Sequence, residues 1–190
     1  MELGGGAKVV RLFVDPFPSF DGMPRFTLRP FRASDLPALV KHANDPTIAA
    51  YLSDAFPHPY TEEHGRAFIA ECMQRLPFRR AIEIDGEAGG AIGLHPRQDL
   101  WRRNMEVGFW LGRPFRGQGI MAEAIEQMVA LGFAEFPEVT RIFGTTFGTN
   151  LASQRTMLKA GFTLEAKLEG TLVKSGRVED EWIFAVRRQA

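Results

Sequence analysis

Gly112-Arg113-Pro114-Phe115-Arg116-Gly117-Gln118-Gly119 leads directly into Ile120-Met121-Ala122-Glu123-Ala124, and Glu106-Val107-Gly108-Phe109-Trp110-Leu111 precedes it. The preceding segment, Met105–Leu111, is short and rich in apolar and aromatic residues, as a strand is. Ile120, Ala124, Met128 and Leu131 recur at helical spacing, so Ile120–Phe136 reads as a long helix. A strand, a glycine-rich turn and a helix N-terminus together form an anion site, because unpaired peptide N–H groups converge where the helix dipole favours negative charge. Gly117 and Gly119 allow close backbone approach, and Arg113 and Arg116 add charge at the rim.

Outward from this loop, two further phosphate-binding patterns can be compared. A Walker loop needs Gly-Lys followed by Ser or Thr, which the segment lacks. Gly117-Gln118-Gly119-Ile120-Met121-Ala122 satisfies the dinucleotide pattern G-x-G-x-x-A. That pattern also requires an acidic residue at the end of the next strand, which here ends Phe147-Gly148-Thr149-Asn150. Upstream, Phe78–Asp85, Ala91–His95 and Met105–Leu111 read as an antiparallel meander, with Asp85-Gly86 as its first hairpin turn. Before them, Phe26–Phe31 alternates as an edge strand, Leu36–Ala43 is a helix capped by Ser34 or Asp35, and Thr47–Leu52 is a short helical stretch. A further helix begins at Thr61, with Phe68, Cys72 and Leu76 on one stripe. Downstream, Val139–Phe147 reads as a strand, Asn150 caps a helix ending at Lys159-Ala160-Gly161, and Leu164–Val173 with Val178–Arg187 form a hairpin turning at Ser175-Gly176.

Composition bounds the rest. The 190 residues fit one domain, and 45% hydrophobic residues including 16 Phe supply a core, which excludes a disordered chain. Residues 1–25, with Gly4-Gly5-Gly6 and three prolines, read as an N-terminal arm with one short strand at Lys8–Val14. Lys+Arg 23 against Asp+Glu 23 leaves no net field to favour nucleic acid. No long uncharged apolar run or leader-like N-terminus appears, so neither a membrane nor an export role is expected and the cytoplasm is the expected place. Cys72 is the single cysteine and His42, His58, His64 and His95 lack ligand spacing, so no disulfide or metal site is expected.

The loop Arg116-Gly117-Gln118-Gly119-Ile120-Met121 resembles the R/Q-x-x-G-x-G/A acetyl-CoA loop of the GNAT acetyltransferases, departing at its last position, where Met121 replaces a small residue. Glu106–Leu111 resembles the strand before that loop, and Arg141-Ile142 the start of the strand after it. Glu123-Ala124, Asn150-Leu151-Ala152-Ser153 and Lys159-Ala160-Gly161-Phe162 are similar to signatures of the RimJ/RimL subgroup. With Leu28-Arg29-Pro30 and Pro57-His58-Pro59-Tyr60-Thr61, the likeness spans Phe26 to Arg187. It implies an α/β (α+β) GNAT fold as a single domain over 26–190. The central sheet would be mixed and mostly antiparallel, flanked by helices, and splayed between Met105–Leu111 and Val139–Phe147 to admit the cosubstrate.

The same resemblance implies acetyl-CoA as cosubstrate and a set of site residues. Phe109, Trp110 and Leu111 would meet the pantetheine amides, and the N–H groups of Arg116, Gly117, Gln118, Gly119, Ile120 and Met121 the pyrophosphate. Glu106 would accept the amine proton, Asn150 would hold the pantetheine end, and the Ser153 hydroxyl would donate to the leaving sulfur. Many members carry a general-acid tyrosine at the position of Met157, which shifts that role to Ser153. Buried Cys72 argues against a covalent route and for direct attack in a ternary complex. An α-amine titrating near 8 is more often neutral at pH 7 than a lysine amine near 10.4, which favours a protein or peptide N-terminus as acceptor. Polyamines, aminoglycosides, or a CoA-binding module without turnover are the alternative readings, and a homodimer stays open. Tyr51–Tyr60 and the hairpin acids Glu179-Asp180-Glu181 are the expected substrate contacts, although those acids also suit a solvated strand edge.

Overall fold

Asp85 and Gly86 both take left-handed backbone angles, closing a two-residue hairpin that aligns β2 (Arg79–Ile84) with β3 (Glu87–Pro96). This pair begins the antiparallel meander read from the sequence, and β3 pairs in turn with β4 (Asn104–Leu111) through seven matched pairs, Gly90–Leu111 to Pro96–Met105. The computed structural model describes residues 25–74 and 78–188. The expected strand at Lys8–Val14, the rest of the arm to residue 24, and Leu76 lie outside them.

Seven strands form one sheet in the order β1-β2-β3-β4-β5-β7-β6, with β1 Thr27–Arg29, β5 Arg141–Phe147, β6 Thr163–Lys174 and β7 Arg177–Arg187. Every neighbouring pair is antiparallel except β4 and β5. A parallel pair needs a crossover, which helix α4 (Ile120–Glu135) supplies. The other helices are α1 (Leu36–Ala43), α2 (Pro46–Ala49), α3 (Glu62–Gln74) and α5 (Leu151–Lys159).

Strand alternation sends neighbouring residues to opposite faces. Ile82, Ile92, Leu94, Met105 and Val107 pack with Ile120, Ile125 and Met128 of α4, and with Ile142, Met157 and Phe184. On the other face, Ala81, Ala88 and Ala91 are small enough for Leu36 and Leu39 of α1, and Ile69 and Cys72 of α3, to lie close to the sheet. Burial of Cys72 agrees with the expected stripe.

Two local expectations are corrected. Asp35 stands at the start of α1, but its carboxylate makes no cap bond to that helix; it accepts from both terminal nitrogens of Arg29 at 2.7 Å and, capping the short 3-10 turn before α1, from the Arg32 N–H at 2.8 Å, in a buried pair that also engages Glu83. Strand β3 begins at Glu87, four residues before the expected Ala91. Its Gly89 and Gly90 look like a loop in composition, yet they permit close packing: a Cβ on Gly89 would meet the Phe115 ring at 2.5 Å.

Candidate active site

The β4 strand is fully paired to β3 but meets β5 only at Asn104–Arg141, Met105–Ile142 and Glu106–Phe143. From Val107 onward its second edge has no strand partner, and a cavity of about 1020 Å³ occupies the gap. Glu106, Ser153 and every expected cosubstrate residue except Gln118 line it.

At one end, Gly119 takes φ +83° as the residue before α4, and Gly117 takes φ +77°. The first α4 amides returned to the chain, those of Ala122 and Glu123, both donate to the Gly119 carbonyl. No hydrogen bond among the described residues uses the N–H groups of 117–121, which leaves a row of donors at a helix N-terminus. The Lys159 ammonium stands 2.9 Å from where a Cβ on Gly119 would be, adding positive charge to the same cradle. Glu123 in the first turn would oppose an anion, but Arg25 pairs with it while donating to the Gln118 carbonyl at 2.9 Å. This donor set suits a phosphate-bearing ligand. Sequence reading took Lys159 only as part of a signature; its place beside Gly119 depends on how α5 packs.

Arg116 lines the cavity, although its hydrogen bonds turn elsewhere. Its N–H donates to the Arg113 carbonyl, and its guanidinium to the Leu111 carbonyl (2.8 Å), Thr47 Oγ1 (2.9 Å) and Asp45 Oδ2 (3.2 Å). Arg113 also holds Asp45. The rim arginines thus fasten the loop to α2. Gln118 sits outside, its side-chain amide donating to the Pro114 carbonyl at 3.0 Å. Met121 is buried in the core against α4's neighbours, so the departure from a small residue alters packing beneath the loop and leaves its N–H in the cradle.

Glu106 marks the point where the strands part. Burial raises its carboxyl above the ordinary range, the Arg97 guanidinium at 3.4 Å pulls it down, and Glu181 pushes it up again. Opposite, Asn150 caps α5 by accepting the Ser153 N–H at 3.1 Å. The Ser153 hydroxyl has no hydrogen-bond partner among the described residues and is free to donate into the cavity. Buried Gln154, missed in the sequence, donates to the carbonyls of Phe147 and Gly148 and so fixes the end of β5 to this helix. Met157 is fully buried below the cleft and Cys72 lies away from it, with burial pushing the thiol up.

Residues 51–54 form part of the wall, while 56–59 line a second pocket of about 640 Å³. None of Glu179, Asp180 and Glu181 lines the main cavity; Glu181 acts on Glu106 only through its charge. Among the described residues, no group of three or more His, Cys, Asp or Glu is placed to hold a metal ion, and no helix is long and apolar enough to cross a membrane.

Residues 25–163 match the acetyltransferase (GNAT) domain. The chain is similar to the uncharacterized N-acetyltransferase p20 of Bacillus licheniformis, 21% identical over 178 residues that span 87% of this chain and 94% of p20. Its fold is similar to that of a GNAT-family acetyltransferase from Bacillus anthracis, with TM-score 0.75 and 23% identity over 86% of this chain and 95% of that one. It is also similar to RimL, a ribosomal L7/L12 alpha-N-protein acetyltransferase solved with coenzyme A, with TM-score 0.73 and 20% identity over 87% and 95% of the two chains. The split sheet, the amide cradle at its mouth and the family match agree: the chain belongs to the GNAT family and is an acetyltransferase.

Proposed function

We propose that the protein is a RimJ/RimL-like enzyme that carries the acetyl group of acetyl-CoA to the N-terminal α-amine of a protein or peptide, by direct attack in a ternary complex. The observation that carries this reading is the two-ended cleft: unpaired amides of 117–121 with Lys159 at one end, and Glu106 where β4 and β5 separate. Acetyl-CoA supplies the thioester, hence both the acetyl group and the sulfur that leaves. The cradle orients its pyrophosphate, and the open edge of β4 at Phe109, Trp110 and Leu111 offers peptide groups to the pantetheine arm. Glu106 supplies negative charge that draws an ammonium into the cleft, where its proton must be given up. Asn150 fixes the first turn of α5, from which the Ser153 hydroxyl donates to sulfur as negative charge develops there. RimL acts on a ribosomal protein α-amine, in keeping with this acceptor class.

Calorimetry with acetyl-CoA, followed by CoA release against a panel of amines, tests the reading. Binding of acetyl-CoA and turnover with peptides whose lysines are blocked but whose N-termini are free are expected. NADH binding without acetyl-CoA binding would overturn the ligand, and turnover confined to polyamines or aminoglycosides would replace the acceptor. Ser153→Ala should lower kcat about 100-fold with little change in acetyl-CoA affinity. Glu106→Gln should show a defect that shrinks as pH rises toward the acceptor's own pKa. Equal losses at every pH in both variants would reject this division of roles.

A further inference from the structure

The β3–β4 ladder sets Gly93 opposite Gly108, one step along the same face from His95 opposite Glu106. Two missing side chains leave a trough on this face of the sheet, and the His95 imidazole lies in it. Its Nε2 stands 3.3 Å from where a Cβ on Gly93 would be and 3.5 Å from that of Gly108. The ring therefore leans past Glu106 toward the part of β4 that β5 has left, and it lines the main cavity. Gly108 is exposed there, so the trough is open to a ligand. Neither ring nitrogen has a hydrogen-bond partner among the described residues.

The charged groups around the ring come from three elements and the turn after β3: Glu106 on β4, Arg79 on β2, Glu71 on α3, and Arg97 just past the end of β3. His95 is exposed as a residue, but partial desolvation of its ring in the trough, aided by the Arg79 charge and opposed by Glu71, holds the ring below its ordinary value, so it is neutral near pH 7. A neutral imidazole accepts protons, whereas the Glu106 carboxylate beside it is already engaged by Arg97.

This inference rests on the amine-acetylation reading above and divides its proton chemistry. The geometry points to His95 as the catalytic proton acceptor, taking the proton that the acceptor ammonium gives up, while Glu106 supplies the charge that holds that ammonium. The N–H bond breaks with its electron pair left on nitrogen, and the proton bonds to an imidazole nitrogen. The freed pair forms the bond to the thioester carbon, the carbon–sulfur bond breaks with its pair on sulfur, and a second proton from nitrogen ends on that sulfur. The imidazolium returns its proton to water.

The test is the pH dependence of kcat/KM for a peptide acceptor at saturating acetyl-CoA, in the wild type, His95→Gln and Glu106→Gln. Wild-type turnover at neutral pH checks the amine reading itself. Beyond the limb that the acceptor's own titration sets in all three proteins, the wild type should show an acid limb below about 6.5. His95→Gln should abolish that limb and lower kcat about 100-fold, with acetyl-CoA affinity by calorimetry unchanged. Glu106→Gln should keep the limb and raise the acceptor KM. A limb that survives His95→Gln and vanishes only in Glu106→Gln overturns the proposal and leaves the acetyl-transfer reading intact. As a readout independent of turnover, the His95 ring resonances in the CoA complex should titrate below 6.5 and shift on addition of the peptide; a ring indifferent to the peptide also overturns it.

Discussion

Met157 occupies the position at which the family resemblance would place a tyrosine acid, and its surroundings show what the methionine does instead. The side chain is fully buried, and its Cε lies 2.7 Å from where a Cβ on Gly144 would be, so it fills the space that this glycine of β5 leaves. Met157→Tyr should cost about 1–3 kcal/mol of stability through overpacking and should not raise kcat; thermal unfolding and steady-state rates measure the two. Cys72 makes the complementary case: Cys72→Ala should keep turnover and lose only packing energy, and a folded variant without activity would revive a covalent route. The burial of Cys72 was legible because helical spacing fixes which face a residue takes, whereas that of Met157 depends on how α5 packs on β5. Asn150 was legible as a cap for the same local reason. The hydrogen bonds of the Arg116 guanidinium were not, since sequence shows only that it adds charge at the rim of a glycine loop. Asp45, distant in sequence, claims its guanidinium instead.

Element by element, the same asymmetry holds. The meander, the C-terminal hairpin and the α4 and α5 helices follow from turn residues and periodicity within each segment. Nothing local places β7 between β5 and β6 or ends the β4–β5 pairing after Glu106; those depend on how segments far apart in sequence pack. The join between α2 and the glycine loop is likewise tertiary. Asp45 caps α2 by accepting the Thr47 N–H at 2.9 Å, and it also pairs with Arg113 and Arg116. Burial pushes its carboxyl up, but the hydrogen bonds from Arg113 and Thr47 and the Arg116 charge outweigh it and hold it well below the ordinary range. A depressed carboxylate contributes its stability above its unfolded value and loses it as pH falls through the folded value. Asp45→Ala should therefore lower Tm at pH 7, at least by the roughly 1 kcal/mol of a lost cap, and the gap from wild type should close as pH drops below about 4. A gap of constant size down to pH 3 would assign the loss to packing rather than charge. Gly119→Ala should act on ligand binding instead, because φ +83° is strained for any residue with a Cβ and the new methyl would push the Lys159 ammonium away from the cradle; acetyl-CoA affinity should fall at least about tenfold.

At the scale of the whole molecule, the sheet order brings its one parallel pair to the centre, and the crossover helix that this pair requires starts at the carboxyl end of β4. The α4 N-terminus therefore opens beside the gap, so that one topological fact produces both the cleft and its anion cradle. One wall of the main cavity is closed by a contact between parts far apart in the chain. Lys174 at the end of β6 donates to the Leu52 carbonyl at 2.8 Å and to Asp54 at 2.7 Å, tying the C-terminal hairpin to the segment after α2. All three residues line the main cavity, and Asp54 and Lys174 also border the second pocket, so the bridge stands between the two. Because the Asp54 side chain is 70% exposed, the ion pair adds little to stability. On the proposed function its effect belongs to shape, because the bridge frames the cavity that an acceptor would enter. Lys174→Ala should therefore leave Tm nearly unchanged and acetyl-CoA affinity within about twofold. It should raise the peptide acceptor's KM about fivefold, the equivalent of about 1 kcal/mol. An unchanged KM would show that the cavity keeps its shape without the bridge. A parallel loss of acetyl-CoA affinity would mean that the hairpin supports the cradle as well as the acceptor wall.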